Sequence, residues 1–234
     1  MTKTSIALIT ASMLTLSSHA NADISSTVKL ASDYTFNGVS QTQDKPALQA
    51  SLDYANDNGL YAGTWASNVD FGGTDDTNLE WDFYLGKYYQ LNEKLGVDVG
   101  IAYYTYHGDS ASSDYKYPEA YAKFSSTSKL GTSEFNLWYS WDYFGLDVGH
   151  TIAMVAHTFE VAPNHNVRVS FDRSISDDSA KWTWDGKSGY NHYRVAYNTT
   201  WKKFDLELAL EDTNMNLDTA DTRVVFSVSR TFNL

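Results

Sequence analysis

Beyond the first two dozen residues, apolar and polar positions alternate with a period of two along almost the whole chain, and a helical period is nearly absent. Leu48, Ala50, Leu52 and Tyr54 alternate with Gln49, Ser51 and Asp53, and Leu79, Trp81, Phe83 and Leu85 with Glu80, Asp82, Tyr84 and Gly86. The pattern returns in Val97–Tyr104, Glu134–Trp141, Val167–Asp172 and Asp205–Glu211. A strand sends successive side chains to opposite faces, so each segment predicts a strand with one apolar and one polar face. Weaker stretches near 27–36, 60–68, 117–124, 150–161, 190–198 and 222–232 bring the predicted strands to twelve. Thr64 and His157 interrupt either choice of apolar face in 60–68 and 150–161, which leaves the register of those two strands open.

The connections add a second rhythm. Asn56–Gly59, Gln90–Lys94, Ser125–Gly131, Ala162–His165 and Thr200–Lys203 are tight, whereas Asn37–Lys45, Asp70–Thr77, His107–Lys116, Asp142–Val148, Ser174–Gly189 and Thr213–Asp221 are mostly longer. Short periplasmic turns opposite longer outer loops characterise bacterial membrane barrels, which have an even number of strands. The expected fold is therefore all-β: a transmembrane antiparallel β-barrel of twelve strands with both termini periplasmic. A soluble sandwich, the alternative, has no reason to hold such a rhythm over eleven connections. Val224, Phe226, Val228, Phe232 and Leu234 keep one parity to the end of the chain, although the last residue is Leu rather than the aromatic that typically ends such barrels.

The ends and the composition fit this picture. Lys3, an apolar run from Ile6 to Leu16 and Ala20-Asn21-Ala22 read as a secretory signal over 1–22, leaving 23–234 as an outer-membrane barrel domain. The apolar run is too short for a spanning helix, which needs about 20 residues. The leader holds one lysine and no acid, so the remainder carries 29 acidic against 16 basic residues, a net charge of −13. That balance argues against nucleic acid as a partner. There is no cysteine, so burial and hydrogen bonding must hold an exported chain without disulfides. Seventeen tyrosines and seven tryptophans, with a mean hydropathy on the polar side, suit a barrel that alternates lipid-facing and lumenal residues between aromatic girdles.

If the apolar parity meets lipid, the other parity lines the lumen. That assigns Asp53, Glu80, Asp82, Asp98, Glu119, Glu134, Asp172, Asp205, Glu207 and Glu211 to the interior, against Lys123, Arg168, Arg194 and Arg223. Two readings follow. In one, a hydrated lumen with surplus acid passes small polar solutes by diffusion and leans towards cations. In the other, the interior is plugged by ion pairs and hydrogen-bonded tyrosines, and the loops of a closed barrel do the work. A third reading, a lipid-modifying enzyme, needs a Ser, a His and a carboxylate together at the outer rim. His107, His150, His157, His165 and His192 lie in no G-x-S-x-G or H-E-x-x-H context, so the residues predict neither catalysis nor a cofactor. Outer-loop acids such as Asp70, Asp75, Asp109, Asp147 and Asp178 suit a solvated surface, divalent bridging to an anionic leaflet, or a cation funnel. Asp212–Asn216 imitates the start of a calcium loop, but Leu217 replaces its glycine and Arg223 its final Glu.

The string Ser32-Asp33-Tyr34-Thr35-Phe36-Asn37-Gly38-Val39-Ser40-Gln41-Thr42, with Pro46–Gln49 and Leu52-Asp53-Tyr54, resembles the opening of the TorF family of proteobacterial porins. Gly59–Val69, Glu80–Tyr84 and Tyr103–Gly108 extend the likeness over the first half, and strand rhythm carries it through the second. The resemblance implies an outer-membrane barrel in contact with lipid, lipopolysaccharide and the barrel-insertion machinery. It implies a location more than a transported substrate. The family often carries Arg where Asn37 stands, so its absence here would leave the interior more acidic. The same string also suits a structural role, with Gly38 bending the chain and Ser40, Gln41 and Thr42 tying a loop to the wall.

Overall fold

A computed structural model describes residues 23–234; the leader read over 1–22 lies outside the described residues. Twelve strands close a barrel: β1 (Asp23–Ala31), β4 (Ala47–Ala55), β5 (Leu60–Asn68), β6 (Leu79–Gln90), β7 (Leu95–His107), β8 (Tyr117–Ser128), β9 (Gly131–Ser140), β10 (His150–Ala162), β11 (His165–Ser176), β12 (Gly189–Trp201), β13 (Phe204–Thr213) and β14 (Arg223–Asn233). Each strand pairs antiparallel with its neighbours in the chain, and β1 pairs with both β4 and β14 to close the ring. Closure leaves no edge, so the backbone hydrogen bonds of every barrel strand are met within the sheet. A further two-stranded hairpin, β2 (Thr35–Phe36) and β3 (Val39–Ser40), lies inside the first long loop.

Burial follows the sequence period. Along β4 it alternates without a break from Ala47 to Ala55, with Gln49, Ser51 and Asp53 inward and Leu48, Leu52 and Tyr54 outward. The outward set forms an apolar face all round the barrel: Leu48, Ile101, Leu210 and Val224 are between 52 and 63% exposed. A continuous apolar surface of that kind needs a non-aqueous neighbour. Two belts of aromatic rings border it. Trp81, Tyr103, Tyr139 and Tyr193 stand towards the long loops, and Tyr54, Tyr89, Phe124, Phe159, Trp201 and Phe232 towards the short turns. At the turn end the ring faces hold cations: Lys202 lies 4.5 Å from the Trp201 centroid and Arg230 4.6 Å from Phe232.

The structure settles the two open registers. In β5, Thr64 faces outward and hides its polarity by donating to the Asp82 carbonyl (2.8 Å) and accepting from the Trp81 indole (2.6 Å). His157 of β10 also faces outward, held between the Ser133 hydroxyl and the Leu130 carbonyl at the turn end. Some expected boundaries move. The first strand stops at Ala31 rather than running to 36, and β8 and β9 extend to Ser128 and Gly131, leaving only Lys129 and Leu130 between them. All the short turns and both described ends share one end of the barrel; the long connections 32–46, 69–78, 108–116, 141–149, 177–188 and 214–222 share the other.

Candidate functional site: the barrel interior and its mouth

Every residue that the alternation assigns to the lumen sits on the inward parity of its strand. Some charges on the inward parity escaped that reading, Lys29 being the one in the middle of a strand. Lys29 of β1 lies between the outward Val28 and Leu30, on the same parity as the inward Ser25 and Ala31. The alternation was there to be read, but β1 is short on apolar residues and its parity reads weakly from the sequence.

The interior divides into two chemically different walls. On β9–β14 and β1, acids meet cations. Arg168 pairs with Glu134 at 3.1 Å, and Arg194 bridges Glu207 at 2.7 Å and Glu211 at 3.0 Å. His192 stands between Asp172 (2.7 Å) and Glu211 (3.6 Å). Its second ring nitrogen therefore faces a carboxylate rather than a hydroxyl, which is not the geometry of an activated serine. On β4–β8 the acids Asp53, Glu80, Asp82, Asp98 and Glu119 have one inward cation, Lys123, which lies 4.4 Å over the Tyr121 ring. Four of the five accept from tyrosines. Tyr61 donates to Asp98 at 2.6 Å and Tyr104 to Glu119 at 2.8 Å, Tyr106 reaches Glu80 at 3.3 Å, and Tyr84 donates to Asp53.

Inward glycines make room for these rings. A Cβ on Gly63, Gly86 or Gly100 would collide with Tyr84, Tyr61 and Tyr121 respectively, so the rings lie flat along the wall and deliver their hydroxyls sideways. Glycine is placed in a strand where another group must approach closely.

The charged middle is packed. Glu80, Glu119, Arg168, Asp172 and Glu211 are all at most 6% exposed. Asp205 lies lower, near the turns, where Thr200 donates to it at 2.7 Å. Arg223, on the inward parity, stands at the mouth end of β14 rather than in the charged middle. Its guanidinium pairs with Asp33 at 2.8 Å and Asp44 at 2.7 Å, both in the first long loop.

That loop folds into the mouth, carrying the string 32–42 with it. Asn37 and Gly38 have φ of 48° and 80°, the two positive angles of a two-residue hairpin turn, and so join β2 to β3. Gly38 is packed so tightly against His192 of β12 and Thr213 of β13 that a Cβ would strike both. Asp33 anchors the base by accepting from Ser40 and Thr42, each at 2.7 Å. Ser40 and Thr42 therefore do tie the loop, but to its own base at Asp33 and Lys45 rather than to the wall.

Over the acidic wall the other loops assemble an aromatic cluster. Phe144, in the tight turn Tyr143–Gly145 with φ 53°, stacks on Trp182 (5.6 Å between centroids), Tyr106 (5.3 Å) and Tyr117 (5.3 Å). Tyr143 packs edge-on against Tyr117 and Trp182. The rings surround a cavity of about 480 Å³, also lined by Tyr34, Val39, Phe71, Trp184 and Tyr190, with Glu80 as its inward carboxylate. Sequence reading missed this cluster because its members come from four loops and three strand ends far apart in the chain.

Residues 16–232 match the family described as bacterial proteins of unknown function, Gcw_chp. The chain belongs to the Gcw_chp family. No curated protein sequence matches it. Among solved structures, this Gcw_chp member is similar to the KdgM porin (TM-score 0.56, 11% identity, 90% of this chain and 99% of that one), a porin also seen in complex with disordered oligogalacturonate. It is similar to an outer-membrane channel from Pseudomonas putida F1 (0.55, 12%, 92% and 97%) and to LpxR from Salmonella typhimurium (0.50, 11%, 90% and 100%). At such identities the likeness establishes the fold, a closed twelve-stranded barrel like that of outer-membrane porins; function still has to be argued from the site.

Proposed function

We propose that this Gcw_chp barrel spans the bacterial outer membrane as a porin-like channel for small polar solutes, leaning towards cations. In this reading the chain is exported through its 1–22 leader, its long loops face outward, and its likeness to TorF porins reflects a shared role. The observation that carries the reading is the unequal wall: five acids on β4–β8 share one inward cation, so surplus negative potential runs along one side of the lumen. The apolar face between two aromatic belts supports the membrane location, since Leu48 or Val224 would otherwise stand in water. The acidic interior also opposes the type of ligand seen with KdgM, because oligogalacturonate is a polyanion and would meet carboxylates here.

A second reading, a closed barrel whose loops act on a surface partner, is favoured by the burial of Glu80, Arg168, Asp172 and Glu211. Reconstitution in planar bilayers separates the two. The channel reading expects discrete conductance steps and a reversal potential of cation sign under a potassium chloride gradient, with loop-shortened variants conducting more. Silence from both the intact chain and a variant lacking residues 35–40 would overturn it.

A further inference from the structure

Glu80 forms the floor of the aromatic cavity at the mouth. It is 2% exposed, and its Oε2 has no hydrogen-bond partner. Two more buried acids lie behind it with one unpartnered oxygen each: Asp82, two residues along the same face of β6, and Glu119. Tyr104, opposite Asp82 in the β6–β7 register, donates to Glu119 and so links the two. Among the described residues none of the three acids is in an ion pair, and the cavity lining holds no Lys, Arg or His. Burying carboxylates without a countercharge is costly, and a cation entering from outside is one way to meet that cost, a proton being the other.

The walls define which cation. Tyr34, Tyr106, Tyr117, Tyr143, Phe144 and Trp182 present ring faces and edges around the space above Glu80. A strongly hydrated metal ion gains little from such walls, whereas an alkylammonium carries its charge inside an apolar envelope. It is attracted by ring faces within about 6 Å and needs few hydrogen-bond donors. The volume of about 480 Å³ admits an ion of this kind with its substituents. The rim reaches Gln43, Asp75 and the exposed Leu146, so the space lies under the loops rather than deep in the charged middle.

We infer that the mouth cavity is a binding site for small organic ammonium ions, with Glu80 as counterion and the loop aromatics as a cage. The inference deepens the cation-leaning reading by naming a solute class, yet it is measured without conduction, so the two fail separately. The probe is choline, with 3,3-dimethyl-1-butanol as its uncharged isostere, titrated against the full chain in detergent micelles while the fluorescence of Trp182 and Trp184 is followed. Saturable quenching by choline is expected, at least about tenfold weaker for the neutral alcohol and at least about tenfold weaker for Glu80→Gln. Heat-dependent gel migration confirms that the variant is folded. Phe144→Ala, in a loop outside the barrel wall, provides a second arm and should weaken choline by a similar factor. Equal binding of alcohol and choline would make the cavity merely apolar. Unchanged affinity in both variants, or no saturation with choline, would equally overturn the site.

Discussion

Arg168 and Glu134 show how the interior trades charge against burial. Both side chains are almost wholly shielded, and Arg168 reaches the carboxylate through Nε and Nη2 at 3.4 and 3.1 Å. Removing one partner leaves the other charge stranded, which costs about 3–5 kcal/mol, whereas replacing both with apolar groups of similar volume is often close to neutral. Arg168→Ala should therefore lower barrel stability by roughly that amount in urea unfolding from lipid vesicles, and Arg168→Met with Glu134→Leu should restore most of it. If the single variant unfolds like the parent, the pair is not structural. The loop acids behave differently. Asp109 accepts from the backbone N–H groups of Ala111 and Ser112, and the Ser112 donor holds its carboxyl below the ordinary range. Asp70 and Asp75 cap Gly72 and Thr77 in the same way. A run of aspartates that reads from the sequence as a cation funnel or a solvated surface is in part a set of turn caps.

The inserted hairpin is the element on which an open or closed lumen depends. β2 and β3 bring only two residues each, too few to be stable alone, so the fixings at its base carry its position. Those fixings are Asp33 with Ser40 and Thr42, and Arg223 holding Asp33 and Asp44 together. Arg223→Ala should release the hairpin while leaving the backbone ladder of β14 in place. Conductance in bilayers is expected to rise several-fold, with new protease cleavage between 35 and 44. A variant with parental conductance and intact loops would show that Arg223 does not hold the mouth. The string 32–42 was legible as a motif because it is long and distinctive. Its inward fold was not, because the surface that receives Gly38 belongs to His192 and Thr213, some 150 residues and more away in the chain.

At the scale of the whole molecule, the absence of cysteine offers a clean test of orientation. Ser179→Cys in the long connection 177–188 and Asn58→Cys in a short turn each create a unique thiol. With the long loops outward, an impermeant maleimide should label position 179 in intact cells and position 58 only after the outer membrane is opened. The reverse pattern would invert the topology.

The sequence by itself determined the twelve strands, the closed antiparallel order and the side of the wall on which most of the strand charges lie. These are consequences of a period of two, in which each residue's facing depends on its immediate neighbours. It left Thr64 and His157 undecided because their polarity is satisfied by cross-strand partners, and it passed over Lys29 because the flanking pattern was thin. Tertiary structure alone decided how the interior is filled. Which acids meet arginine and which meet tyrosine, and which loop rings gather over Glu80, depends on where distant strands stand around a closed ring. No local pattern in the chain carries that information.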